Sequence, residues 1–396
     1  MMPSIYLDHA ATTPVAPEVL EAMMPYFQQC WGNPSSIHRY GRQASEGVEY
    51  GRAQVANLLH CAPKEVYFTS GGSEADNLAI FGAVMAREGV GKHIITSAIE
   101  HHAVSHTCEA LAKRGWDITY LPVDGEGRVD PDAVRAALRP DTVLVTIMHA
   151  NNEVGTVQPI AEIGAICREA KVWFHTDAVQ SVGHIPTLVD ELNVDMLSLS
   201  GHKLYGPKGV GALYIRRGVR IKPQIYGGGH ERGLRAGTEN VPGIVGLGRA
   251  AELAMAEMES EAVRQTRLRE KLLDGLTARM PDCFVTGSRE HRLPNNASII
   301  NKYVEGEAQL LRLDAVGIAA SSGSACTSGS LDPSHVLLAM GIPVEFAHGS
   351  LRLSLGRGTT DAEIDYVLEQ MPPIIATLRA MSPFGPSVCC EGGVCK

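Results

Sequence analysis

Ser198-Leu-Ser-Gly-His-Lys203-Leu-Tyr-Gly-Pro-Lys-Gly209 sets a lysine in a Gly/Pro-rich turn between two short apolar runs. Residues 194–199 read as a buried strand, and 209–215 read as another. A lysine just past a strand end is placed to reach the crevice where open α/β sheets take ligands. An apolar setting lowers a lysine's pKa, because desolvation penalises the ammonium, and so makes the amine nucleophilic. A lone turn lysine serves equally well as a salt-bridge partner. The surrounding chain gives Lys203 its weight.

Working outward, strands are expected at 66–69, 93–96, 118–122, 143–147, 172–176, 196–199 and 211–215. Helical patterns at 73–88, 104–114, 131–138 and 160–170 fall between most of them. Strand–helix alternation of this kind predicts an α/β fold with a mostly parallel sheet of about seven strands and helices on both faces. Upstream, 17–29 and 36–60 look helical, and 5–7 could form a short strand. Residues 242–280 form a long helical stretch that leads out of the first domain. Short strands at 284–287, 297–301 and 349–355 and helices at 305–313, 333–340 and 361–380 then suggest a smaller α+β domain. The expected division is a large domain over 16–260, a small domain from 1–15 and 261–380, and a cysteine-containing tail over 381–396.

The 396 residues are 44% hydrophobic and 20% charged, with a net charge of −9. That balance argues against nucleic acid or an anionic membrane as an obligate partner. No apolar run approaches membrane-spanning length, and the start lacks the basic and apolar regions of a signal peptide. Nine cysteines, scattered except near the C-terminus, suggest free thiols in a reducing compartment. The expected location is cytoplasmic.

Several polar groups sit at successive strand ends. Thr69-Ser-Gly-Gly72-Ser73 follows a strand and opens a helix, with Ser73 as the expected N-cap and Asp76 three residues on. Such a helix N-terminus is an anion seat. In that helix Leu78, Phe81 and Met85 are expected to share one face. His101, after the next strand, could stack on a ring and handle protons near neutrality. His102 and His106 are spaced like metal ligands, but no clear third ligand follows. Asn152 follows the fourth strand and could meet a ring substituent or a carboxylate. Asp177 follows the fifth, and a carboxylate at that depth needs a cation. A pyridinium N–H supplies one, and with an amine at Lys203 the combination suggests a Schiff base to pyridoxal phosphate. A turn-capping role is the alternative for Asp177. The Gly-rich run 227–240, with two arginines, suits an anion or a subunit contact. Cys326 lies in a loop of small residues, 321–330, and Arg352 on a strand suits bidentate capture of a carboxylate.

Together, S-G-H-K-x-Y-G-P-K-G around Lys203 and S-S-G-S-A-C-T-S around Cys326 closely resemble the pyridoxal-phosphate-dependent cysteine desulfurases of the NifS/IscS type, group I. The resemblance runs from Tyr6 to Arg357. It implies an aspartate-aminotransferase-like fold (type I) and a homodimer with sites at the subunit boundary. It further implies that Lys203 is the Schiff-base lysine, Asp177 the partner of the pyridine nitrogen, His101 the stacking histidine and proton shuttle, and Gln180 the group near the ring hydroxyl. Gly72, Ser73, Ser200 and His202 match the phosphate seat, and Thr238 the contact lent by the other subunit. Asn152 and Arg352 match the pair that holds the L-cysteine carboxylate, and Cys326 the thiol that takes the sulfur.

The implied reaction turns L-cysteine into L-alanine and delivers sulfur, as a persulfide, to an acceptor or iron–sulfur scaffold protein. Ser73 stands where threonine is usual, and His9 where asparagine is common. No metal is implied with certainty. Cys326, or Cys389, Cys390 and Cys395 of the tail, could contact a metal or iron–sulfur unit. The alternatives are a selenocysteine lyase or another type I pyridoxal-phosphate enzyme, neither of which needs the Cys326 loop. A non-enzymatic iron–sulfur scaffold has no use for Lys203 and Asp177.

Overall fold

The computed structural model describes residues 4–322 and 333–383. Cys326 and the tail cysteines Cys389, Cys390 and Cys395 lie outside the described residues. After a two-residue strand β1 (Ile5–Tyr6) and three helices come the strands of the large sheet. They are β2 (Val66–Thr69), β3 (His93–Ser97), β4 (Asp117–Leu121), β5 (Thr142–Thr146), β6 (Trp173–Asp177), β7 (Met196–Ser200) and β8 (Gly211–Ile215). Their order across the sheet is β2-β8-β7-β6-β5-β3-β4. Strands β3 to β7 pair in parallel, whereas β8 runs antiparallel to both β7 and β2. The connection from β7 to β8 is the Lys203 turn, too short for the crossover that a parallel pair requires.

Alternate residues of the buried strands feed two different cores. Ile94, Leu144, Met196 and Leu213 pack against Leu78, Ala79 and Ala83 on one face. Ile95, Val145, Phe174 and Leu197 pack against Val48, Val55, Leu59 and Ile163 on the other. The helix Gly72–Arg87 makes this contact with alanines beside Leu78, Ile80 and Val84, while Phe81 is only partly buried against it and Met85 is exposed. The expected Leu78/Phe81/Met85 face is therefore corrected: alanines at 75, 79 and 83 let the helix sit close to the sheet. The expected helix over 17–29 also divides, into Pro17–Met23 and Pro25–Gln28, because Pro25 has no N–H to continue the ladder.

The helix Val241–Arg279 runs 39 residues, and its two halves enter different cores. Val245, Leu247 and Ala251 belong to the core of the large sheet. Leu268, Leu272 and Leu276 pack with Ile5, Leu7 and the later strands. Those strands are β9 (Cys283–Val285), β10 (Asn296–Asn301), β11 (Ile318–Ala319) and β12 (Ser350–Ser354). Strands β12, β10 and β9 form an antiparallel sheet, and β11 pairs in parallel with β1.

Candidate active site

The carboxyl ends of β3, β5, β6 and β7 open onto one cavity of about 460 Å³. Ten residues singled out from the sequence line it: Gly72, Ser73, His101, Asn152, Asp177, Gln180, Ser200, His202, Lys203 and Arg352. Thr238 does not line it and is exposed elsewhere on the surface.

Asp177, the last residue of β6, is buried, and its Oδ1 accepts a hydrogen bond from Val179 N at 2.9 Å. The turn-capping and functional readings of this residue thus coexist. Burial raises its pKa, and the charges of His101 and Lys203 work against that rise. Lys203 ends a single 3-10 turn after β7, and its Nζ donates to the carbonyls of Ala10 at 2.6 Å and Ala11 at 2.8 Å. The turn is tight: a side chain on Gly206 would come within 2.7 Å of the Gly201 carbonyl oxygen.

His101 caps the helix His102–Ala112 by accepting from Ala103 N at Nδ1, 3.1 Å. An accepting Nδ1 puts the neutral ring's proton on Nε2. Burial lowers the His101 pKa ahead of any charge effect, keeping that neutral form. Gln180 Nε2 donates to Ala10 O at 2.9 Å. His202 Nδ1 lies 3.1 Å from Thr12 Oγ1, and burial drops its pKa to about 4.

The expected Ser73 cap is corrected. Gly71 is the N-cap, no side chain caps the helix, and Ser73 falls in its exposed first turn. The first N–H groups of a helix have no intrahelical partner, so this end remains an anion seat. Gly72 is required there, since a Cβ would meet Val179 Cγ2 at 2.6 Å. Asp76 is not a capping residue either. It lines the cavity, fully buried, with Oδ1 unbonded among the described residues and 3.6 Å from His175 Nε2. Burial, then Asp177, holds its pKa well above the carboxylate range.

On the opposite wall, Arg352 in β12 donates from Nη1 to Asn152 O at 2.9 Å and from Nη2 to Asp8 Oδ1 at 3.0 Å. Asp8 and the Ala10 and Ala11 carbonyls are contributors that sequence reasoning missed. The pairing of Asp8 with Arg352 spans 344 positions, and no local pattern announces it. His102 and His106 stack at 4.6 Å, but no three described His, Cys, Asp or Glu residues are arranged to hold a metal.

These residues fit pyridoxal phosphate on their own chemistry. A bare helix N-terminus with Ser73 and Ser200 suits a phosphate, the buried Asp177 suits a pyridinium, and Lys203 offers the amine. The fold is that of the type I, aspartate-aminotransferase-like pyridoxal-phosphate enzymes.

The family model for aminotransferase class-V matches residues 5–367. The cysteine desulfurase IscS of Methanosarcina thermophila is 55% identical over 383 residues, 97% of this chain and 95% of that protein. The cysteine desulfurase of Trichormus azollae is also 55% identical, over 97% of this chain and 96% of that protein. Among solved structures, a NifS-like protein superposes with a TM-score of 0.89 at 39% identity, covering 96% of this chain and all of the other. The chain belongs to the class-V aminotransferase family and, within it, to the cysteine desulfurases, pyridoxal-phosphate enzymes that mobilise sulfur from cysteine. The relatives favour this activity over a selenocysteine lyase or a non-enzymatic scaffold.

Proposed function

We propose that this chain converts L-cysteine to L-alanine and holds the sulfur as a persulfide on Cys326 for transfer to an acceptor or iron–sulfur scaffold protein. The observation behind this reading is the meeting of Lys203, Asp177 and His101 on one side of a cavity with Arg352 and Asn152 on the other. Pyridoxal phosphate supplies an aldehyde for covalent capture and a protonated ring that withdraws electrons from the substrate's Cα. Asp177 would hold the proton on that ring's nitrogen, and His101 would stack on the ring. The helix N-terminus at Gly72, with Ser73, Ser200 and His202, seats the phosphate. Lys203 Nζ would hold the aldehyde and, as a free amine, would take the Cα proton. Arg352 and Asn152 orient the substrate carboxylate. The Cys326 thiolate attacks the substrate sulfur, forming an S–S bond while the C–S bond breaks with its electrons left on carbon. His101, with its proton on Nε2, serves the proton traffic of the thiols.

The segment bearing Cys326 departs and returns beside the cavity. Ser321 exchanges backbone hydrogen bonds with Arg352. On the return, Ser334 Oγ donates to Glu153, and His335 Nε2 bonds to Glu100 O. A second copy of the chain is expected to complete the site with Thr238. Phe27, Trp31, Ile37 and Tyr226 are exposed apolar side chains that such a copy would cover. The small domain of 1–15 and 261–380 supplies Asp8, Cys326 and Arg352, and the large domain of 16–260 the cofactor seat. The described cysteines are free thiols, in keeping with a cytoplasmic setting.

The test is Cys326→Ala. This variant should still bind L-cysteine and shift the absorbance of the bound cofactor, yet carry no cysteine-derived sulfur. Normal turnover would rule out the thiol assignment.

A further inference from the structure

Asp8 is used by none of the steps above, yet its carboxylate lies in the cavity against the arginine that is to receive the substrate. It cannot simply be a loose stand-in. Its carbonyl accepts from Tyr6 Oη at 3.1 Å, from Ala11 N at 3.0 Å and from Thr12 N, and its backbone bridges to Ser354. Arg352 is itself nearly fully buried, with Nη1 committed to Asn152 O. Its Nε is buried without a hydrogen-bond partner among the described residues. The guanidinium therefore keeps unspent donor capacity although one carboxylate already sits on it. The buried Glu153 also feels the Arg352 charge, but burial raises its pKa to about 7 and no ion pair joins the two among the described residues. The cation thus carries one resident carboxylate before any substrate arrives. An amino acid brings one more carboxylate, and a diacid would bring two.

We propose that Asp8 is a specificity residue for the reaction, a fixed carboxylate on Arg352 that admits amino acids with one acidic group and turns away those with two. The inference rests on the reading of Arg352 as the substrate-carboxylate site. Other charged or titratable groups on the cavity wall are Asp76, His101, Asp177, His202 and Lys203. None of them is ion-paired with Arg352 among the described residues.

L-Aspartate and L-asparagine differ in charge and hardly in shape, so they test this directly as competitive inhibitors of alanine formation by the cofactor-loaded, full-length protein. With wild-type protein, aspartate should bind at least about tenfold more weakly than asparagine, the size of a like-charge penalty in a partly buried site. Asp8→Asn should bring the two inhibition constants within about threefold, and Asp8→Glu should restore the gap. Asp8→Ser serves as the uncharged variant if Asp8→Asn does not fold or hold cofactor. Equal inhibition by both amino acids in wild type, or a gap that persists in the uncharged variant, would overturn the inference. Arg352→Gln separates the two levels. It should weaken both inhibitors and raise KM for cysteine, and if it changes neither, the Arg352 reading itself fails.

Discussion

The two walls of the cavity are made in opposite ways. One wall is continuous sheet: Asp177 and Ser200 end the adjacent strands β6 and β7, Lys203 follows β7, and Gly72 and His101 follow β2 and β3. The other wall is assembled from both ends of the chain, with Asp8, Ala10 and Ala11 meeting Ser321 and Arg352. The first is held by packing on both faces of a buried sheet. The second joins remote segments through a smaller core and strand pairing, and is tied to the first by a few polar contacts, among them Lys203 on two carbonyls and Gln180 on one of them. A wall fixed by the sheet suits a cofactor that stays, and a wall of joined segments suits a substrate that comes and goes.

Changes on the sheet wall should therefore disturb the cofactor or the turnover it supports, and changes on the other wall should alter substrate constants alone. The largest effect is expected for Lys203→Ala, which should lose the absorbance of the lysine-bound cofactor and lower turnover by about 10³-fold or more. Retention of both would break the comparison at its strongest point. His101→Asn should keep the cofactor bound and reduce kcat by about 10²-fold, the usual scale for a positioned proton-transfer group. A kcat within a few-fold of wild type would leave His101 as a helix cap only. Arg352→Lys should keep the spectrum and raise KM for L-cysteine by about 10- to 100-fold, from loss of a charged, bidentate geometry. If the spectrum changed instead, the two walls would not be separable.

The smallest effect on turnover is expected at Glu100, buried behind His101. Burial lifts its pKa from 4.5 to about 8, against hydrogen bonds from Ser97 Oγ and Met148 N. Between those two values the folded chain holds a proton that the unfolded chain has released. The neutral acid's advantage is thus complete below pH 4.5 and is lost as pH rises to about 8. Glu100→Gln cannot titrate, so its melting temperature should fall less than that of wild type between acidic and mildly alkaline buffer. The difference corresponds to on the order of 5 kcal/mol at most. Parallel curves for the two proteins would show that Glu100 does not titrate in this range.

The sheet wall was the legible one. Strands β2 and β8 have the bounds read from the sequence, and the others differ by a residue or so, because runs such as Thr142–Thr146 are buried on both faces. Motifs directly after such strands were placed with them. What escaped was non-local. Asp8 belongs to a turn-rich connector, and only the fold brings it to Arg352. Asp76 was read as part of a cap because spacing cannot tell an exposed first turn from one facing a cavity. The two-residue strand β11 has no periodicity to read, and it forms only because β1 lies beside it. Met85 misled because a large apolar residue draws attention from the alanines that share the buried face with Leu78, Ile80 and Val84.

The most direct measurement is the absorbance spectrum of the purified protein before and after L-cysteine, with L-alanine and released sulfide assayed in the same sample under reducing conditions. The expected result is a lysine-bound cofactor band in the wild type that shifts on adding cysteine, with alanine and sulfide appearing in equal amounts. Absence of that band in the cofactor-supplied wild type, or its persistence unchanged in Lys203→Ala, would contradict the assignment of Lys203 and Asp177 to the cofactor.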